Sequence, residues 1–182
     1  MPSSDSLSDK KESAEQPRDQ KKAGGTTQPG ELSRSNAPGT QIAYSADLIA
    51  QLTAEHQRLL ELFALIKKAF AEKDLPATAR CLDQFRSAIQ AHLLTENIRI
   101  YIYLEHSLTH DPESAALVRG FRHEMDKIGR AVLSFLNKYS DIGTRPDLAI
   151  PFGNDLDVVD EVLVDRIRRE EGTLYPLYFR VY

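Results

Sequence analysis

From Ile49 to Leu174 the large apolar residues return at steps of three and four, the spacing that stacks side chains on one face of an α-helix. Ile49, Leu52, His56, Leu59, Phe63, Ile66 and Phe70 trace a first stripe, with a histidine inside it. Leu82, Phe85, Ile89, His92, Glu96, Ile100 and Tyr103 trace a second, which contains both a histidine and a carboxylate. Leu117, Phe121, Ile128, Val132, Phe135 and Tyr139 form the third, and Leu156, Val159, Leu163, Ile167, Glu170 and Leu174 the fourth. The breaks between stripes carry their own signals. Ser45 is the expected N-cap of the first helix. Lys73-Asp74 followed by Leu75-Pro76 ends that helix and starts the next, because proline fits only a first helical turn. The second helix should run to about His106, and Asp111-Pro112 reads as a cap followed by proline at the first position of the third. The third helix should end near Ser140. Gly143, Pro146, Pro151 and Gly153 then mark a loop over residues 141–154, with the fourth helix starting near Asp155.

The stretch IRIYIY alternates as a strand would, but it continues the second stripe with no turn signal before it, so it is read as helix. Amphipathic helices joined by mostly short connections favour antiparallel neighbours. The expected fold is all-α, an up-down-up-down antiparallel four-helix bundle over residues 45–182. Residues 1–44 are rich in Ser, Gln, Gly, Pro, Lys and Asp with almost no large apolar side chains, and are expected to form a disordered polar tail.

A chain of 182 residues suits one domain. The net charge of −4 is mild and the cations are scattered among acids, which gives no basic face for nucleic acid. The single cysteine, Cys81, allows no internal disulfide and fits a reducing compartment. No apolar run approaches the roughly 18 residues of a membrane helix, and the first residues lack the apolar core of a secretory signal. A cytoplasmic protein without membrane contact is the expectation.

His56, His92, Glu96 and Glu170 change the picture, because they put two imidazoles and two carboxylates on inward faces. A buried ionised carboxylate costs several kcal/mol unless it is paired, hydrogen-bonded or metal-bound. Helix bundles assemble metal sites from inward His and carboxylate side chains, and that mixture suits iron, manganese or zinc. Glu124 lies near the inner face of the third helix as a reserve ligand. His123 falls away from the stripe, and His106 and His110 sit where a histidine meets a helix end favourably. Cys81 has no histidine partner in its local motif and reads as an ordinary thiol. Tyr101, Tyr103, Tyr175 and Tyr178 read as packing residues, one of which could reach the site.

Four segments, in this order, carry a family resemblance: EH at Glu55-His56, HLLTE at His92 to Glu96, EMDKIG at Glu124 to Gly129 and RIRREEGTLYPL at Arg166 to Leu177. Together they resemble the hemerythrin-like, or HHE cation-binding, domains over about residues 45–180. The resemblance implies a four-helix bundle that holds two irons, with a histidine from the first helix, H-x-x-x-E from the second, a histidine from the third and H-x-x-x-E from the fourth. Two of those histidine positions are filled here by Met125 and Arg166. By the family arrangement both belong to the same iron, whereas His56 and His92 serve the other. Methionine is a poor ligand for a hard divalent ion, and arginine cannot ligate but can form bidentate bonds to a carboxylate.

The resulting expectation is one metal ion, iron before manganese or zinc, on His56, His92, Glu96 and Glu170, with Arg166 where a second would stand. Dioxygen carriage by two irons is then not expected, and sensing or metal-dependent regulation, with a small diatomic ligand or a protein partner, takes its place. The alternative is a metal-free bundle in which Arg166 pairs with Glu170 or Glu96, the histidines hydrogen-bond the remaining oxygens, and the domain is a scaffold for protein–protein interaction. The chain shows no nucleophile with a paired base, no phosphate-binding glycine loop and no cofactor fingerprint, so catalysis is not the expected role. An open position on a mononuclear iron would still leave room for redox chemistry.

Overall fold

A computed structural model describes residues 36–180. The described residues form four helices: α1 (Leu48–Ala71), α2 (Leu75–Glu96), α3 (Pro112–Lys138) and α4 (Ala149–Arg169). Neither α2 nor α4 stops at its last α-helical residue. α2 runs on through a π-helical segment, Asn97–Ile102, into Tyr103–Ser107, and α4 through a second, Glu170–Leu174, into Tyr175–Arg180. No strand is present among the described residues beyond a single bridge between Asn36 and Ala43.

Each helix packs on the next in the chain and α1 also packs on α4, closing a four-helix bundle. The connections over residues 72–74 and 108–111 are long enough only to reverse the chain, which fixes neighbours as antiparallel. At the first of them Lys73 adopts φ of 59°, the left-handed conformation that closes a helix C-terminus, and the Asp74 N–H donates to Ala69 O at 3.0 Å. Asp74 and Asp111 cap α2 and α3 by accepting from the backbone N–H of Ala77 at 2.8 Å and Ser114 at 3.1 Å.

The inner stripes fill two apolar clusters. One contains Leu59, Phe63, Ile66, Phe85, Ile89, Val132, Phe152 and Leu163. The other contains Leu52, Ile100, Tyr101, Leu104, Val118, Phe121, Met125, Leu174 and Tyr178. Along every helix the chain passes from one cluster to the other at a particular point: between Leu52 and Leu59, between Ile89 and Ile100, between Met125 and Val132, and between Ile167 and Leu174. The metal-competent residues lie at that level.

Four features differ from the sequence reading. Ser45 is not the N-cap of α1; the helix starts at Leu48 after Asp47, and the Ser45 N–H donates to Tyr178 Oη at 2.8 Å. The stretch read as a loop to residue 154 is shorter, because two 3₁₀ turns, Ile142–Thr144 and Pro146–Leu148, lead straight into α4 at Ala149, where Pro151 is accommodated in the first turn. Leu117 is exposed and Val118 is buried in its place on α3. Residues 36–44, assigned to the tail by composition, are folded: Ala37 is buried, His106 Nδ1 lies 2.9 Å from Pro38 O, and the Tyr44 ring stacks on Tyr178 with centroids 5.0 Å apart. The polar stretch over residues 1–35 lies outside the described residues.

Candidate metal centre

Six polar side chains are buried among the described residues, and five of them, His56, His92, Glu96, Arg166 and Glu170, line a single pocket between the two apolar clusters. The sixth, Thr78, satisfies its hydroxyl locally on Asp74 O. Helical register explains the convergence. His56, His92, Glu96 and Glu170 occupy stripe positions that would otherwise be apolar, and the level at which each interrupts its stripe is the same.

His56, His92 and Glu170 each offer a ligand atom within 4.8 Å of the others. That is near the span of about 4 Å between two ligands on opposite sides of one ion. Glu96 is outside this tightest set but lines the same pocket. Both imidazoles are gripped from behind by carboxylates. His56 Nδ1 lies 2.9 Å from Glu171 Oε1, and His92 Nδ1 lies 3.0 Å from Glu55 Oε2. When the other ring nitrogen donates to a carboxylate, the tautomer is set and the Nε2 lone pair is left for an ion, the usual support of metal-binding histidines. Sequence reasoning missed Glu55 and Glu171 as partners. Their signal was adjacency: each directly neighbours a stripe residue, His56 or Glu170, from the solvent side.

Glu96 is the unsatisfied group of the layer. It is fully buried, and among the described residues neither carboxyl oxygen has a hydrogen-bond partner. Tyr175 and Glu170 stand near enough to act on its ionisation, but burial dominates, and with the Glu170 charge beside it holds the Glu96 carboxyl well above the usual range against the pull of Arg166. Burial pushes Glu170 the same way. There the hydrogen bond from His56 and the charges of Arg166 and His56 outweigh burial and bring it below the ordinary value. Burial lowers the His56 pKa, yet Glu170 on Nε2 at 3.3 Å and Glu171 on Nδ1 raise it overall. His92 moves down, through burial first and then the neighbouring His56 charge.

Arg166 lies on the opposite side of Glu170. Its Nε donates to Glu170 Oε1, Nη1 to Glu124 Oε2 at 3.0 Å and Nη2 to the Tyr101 hydroxyl at 2.5 Å, while the guanidinium carbon sits 5.0 Å from the Phe121 ring centroid. Glu124, the reserve ligand, is thereby committed to Arg166 and to Arg169 Nη1 at 2.6 Å, and the bond from Arg169 leads the causes that hold its carboxyl below the ordinary value. Met125 is buried against the same pocket, and His123 is exposed. The donor set thus fits one cation on the His56 side, where both oxygens of the buried Glu96 carboxyl lack a hydrogen-bond partner and could turn to it. It does not fit a second on the Arg166 side, where a thioether and a fixed positive charge are found.

Two tyrosines reach this layer by a device the α-helical period hides. Tyr101 follows Glu96 by five residues and Tyr175 follows Glu170 by five, and each step crosses a π-helical segment. At about 100° per residue an α-helix would turn such a residue about 140° away from the carboxylate, whereas the π-helical i→i+5 bond stacks it on the same side. In α4 the sequence offers a cause: Pro176 has no N–H to give to Gly172, so the α-helical ladder is broken there. The Tyr175 hydroxyl lies 3.2 Å from His56 Nε2, and its ring is nearly parallel to the imidazole, at 8° with centroids 5.6 Å apart. Burial first, and the Glu96 charge second, push both phenols far above their ordinary pKa.

The rest of the pocket wall is apolar, with Leu59, Ile89, Leu93, Ile128, Val132 and Leu163 around a cavity of about 30 Å³, room for a water-sized ligand. No helix among the described residues is long and apolar enough to cross a membrane. A family model, the hemerythrin HHE cation binding domain, matches residues 47–178. No curated protein and no solved structure matches the chain.

Proposed function

Because the chain belongs to the hemerythrin HHE cation-binding domain family, we propose that it holds one iron ion per chain on His56, His92, Glu96 and Glu170, and acts in sensing or regulation and not in oxygen carriage. The observation that carries this reading is the Glu96 carboxyl, buried with both oxygens unpartnered beside the cluster of His56, His92 and Glu170. An unsatisfied buried polar group costs about 1–3 kcal/mol, more if charged, and a cation in the pocket removes that cost.

Arg166 takes the part of a second ion's charge. The hydrogen bond and charge that it gives to Glu170 Oε1 help to hold Glu170 ionised and in place while leaving Glu170 Oε2 toward His56, and its bonds to Glu124 and Tyr101 fix the guanidinium. Glu171 and Glu55 orient the two imidazoles, and the apolar wall excludes bulk water from the side facing α3. A bound iron would supply a coordination position open to a small neutral molecule such as a diatomic gas. Reversible dioxygen binding on a pair of irons has no support from Met125 and Arg166. Manganese and zinc suit the same donors and are separated from iron by elemental analysis.

The test is elemental analysis with a visible spectrum on tag-free protein purified without chelator, repeated on His92→Ala. One iron per chain, lost in His92→Ala with the fold retained, is expected. Two ions per chain, or unchanged content in His92→Ala, refutes the ligand assignment. The competing reading, a metal-free scaffold, draws on the ion pairs that Arg166 and His56 already make. It predicts the same thermal midpoint for stripped and iron-supplied protein, whereas an ion bound only by the folded state raises the midpoint.

A further inference from the structure

We propose that Tyr175 is a further ligand to the cation, binding through its phenolate oxygen, so that the site selects a hard, highly charged ion and holds ferric in preference to ferrous iron. This rests on the metal reading above and adds a residue to it.

Three observations carry the inference. The π-helical segment Glu170–Leu174 exists between a candidate ligand and this tyrosine, and it turns Tyr175 from a packing position onto the Glu170 side of the helix. Its hydroxyl stands 3.2 Å from His56 Nε2, and Glu170 Oε2 stands 3.3 Å from the same nitrogen. Two ligands each about 2.1 Å from one ion and at right angles are about 3 Å apart, so both distances match neighbouring corners of a single coordination shell. Finally, the two buried tyrosines of the layer are not equivalent. Tyr101 gives its oxygen as the acceptor of Arg166 Nη2 at 2.5 Å, whereas the Tyr175 hydroxyl has no guanidinium on it and faces His56 Nε2 at 3.2 Å with the Glu96 carboxyl beside it. Once that nitrogen turns its lone pair to an ion it cannot accept from the phenol, and a fully buried hydroxyl is left facing the ion.

Ligation breaks the phenol O–H bond, forms the oxygen–metal bond and releases one proton to the medium for each ion bound, with no change of oxidation state when the ion is supplied as ferric iron. A phenolate is a hard anionic donor, which favours the more highly charged ion.

The experiment loads the full chain with ferric iron supplied as its citrate complex, removes the excess, and records iron content, the visible spectrum and the resonance Raman spectrum. The expected result is a phenolate-to-iron charge-transfer band with enhanced phenolate ring modes. The band should be lost in Tyr175→Phe at undiminished helical circular dichroism with iron still bound, and kept in Tyr101→Phe. Iron bound by the wild type without such a band overturns the assignment, as does a band that persists in Tyr175→Phe. If Tyr175→Phe does not fold, the wild-type and Tyr101→Phe spectra decide: a band in both supports Tyr175, and a band lost in Tyr101→Phe overturns it. A wild type that takes up no iron overturns the metal reading itself, and elemental analysis separates that failure from the loss of a band alone.

Discussion

Replacing Arg166 by methionine tests whether its guanidinium carries the charge balance of the core. The side chain is 4% exposed and makes its three hydrogen bonds to Glu170, Glu124 and the Tyr101 hydroxyl. Methionine keeps most of the volume and flexibility but removes the charge, so Glu170, itself 3% exposed, faces Glu96 with only the His56 and His92 imidazoles to offset it. Removing one partner of a buried pair costs about 3–5 kcal/mol, because the other charge stays buried without compensation. For a domain of this size each kcal/mol moves the thermal midpoint by about 2–4 °C, so Arg166→Met should lower it by about 6–20 °C. The assay is thermal and urea denaturation of chelator-treated protein, read by far-ultraviolet circular dichroism. Arg166→Met/Glu170→Gln removes both charges of the closest pair and should be less destabilised than the sum of the single variants, with a coupling of about 0.5–3 kcal/mol. A drop of less than about 2 °C in Arg166→Met, or strict additivity in the double variant, would refute the claim that the guanidinium neutralises this layer.

Three further outcomes are expected. Glu171→Gln, which weakens the carboxylate behind His56 Nδ1, should loosen cation binding by about 10–100-fold in chelator competition with little change in the metal-free midpoint; unchanged affinity would remove Glu171 from the support of that ring. Met125→His with Arg166→His places imidazoles at the two positions that lack them, and elemental analysis should rise from one ion per chain to two; a value that stays at one argues that more than these two side chains separates the sites. Lys73→Gly relieves a non-glycine residue at φ of 59° and should stabilise the fold by about 0.5–1 kcal/mol in urea, whereas a loss would mean that the Lys73 side chain makes a contribution larger than the backbone strain.

The sequence by itself determined the bundle and the level of its polar layer. The steps of three and four in each segment dictate which face is buried, and every residue of the second stripe from Leu82 to Tyr103 is buried. Because His56, His92, Glu96 and Glu170 interrupt their stripes at corresponding heights, their meeting follows from register and short connections. Capping also read cleanly at Asp74 and Asp111, where a side-chain oxygen and a following proline act within one turn. Where local signals were weak the reading slipped: Ser45 looked like a cap but serves Tyr178, and Pro151 looked like a loop residue but fits a first turn.

What only the tertiary structure decided depends on partners distant in the chain. Glu55 reaches His92 across 37 positions and Glu171 reaches His56 across 115, so no local pattern could pair them. Arg166 could have turned to Glu170 or Glu96; packing on Phe121 together with the positions of Glu124 and Tyr101 settled it on Glu170. The two π-helical segments matter most. A count at 3.6 residues per turn places Tyr101 and Tyr175 away from the carboxylates that precede them, and one widened turn in each helix brings them back. A periodic pattern reports the average geometry of a helix. The single turn that departs from it escapes that average even where, as at Pro176, a residue that breaks the ladder stands in the sequence, and here those turns carry phenols to the layer where the charges are.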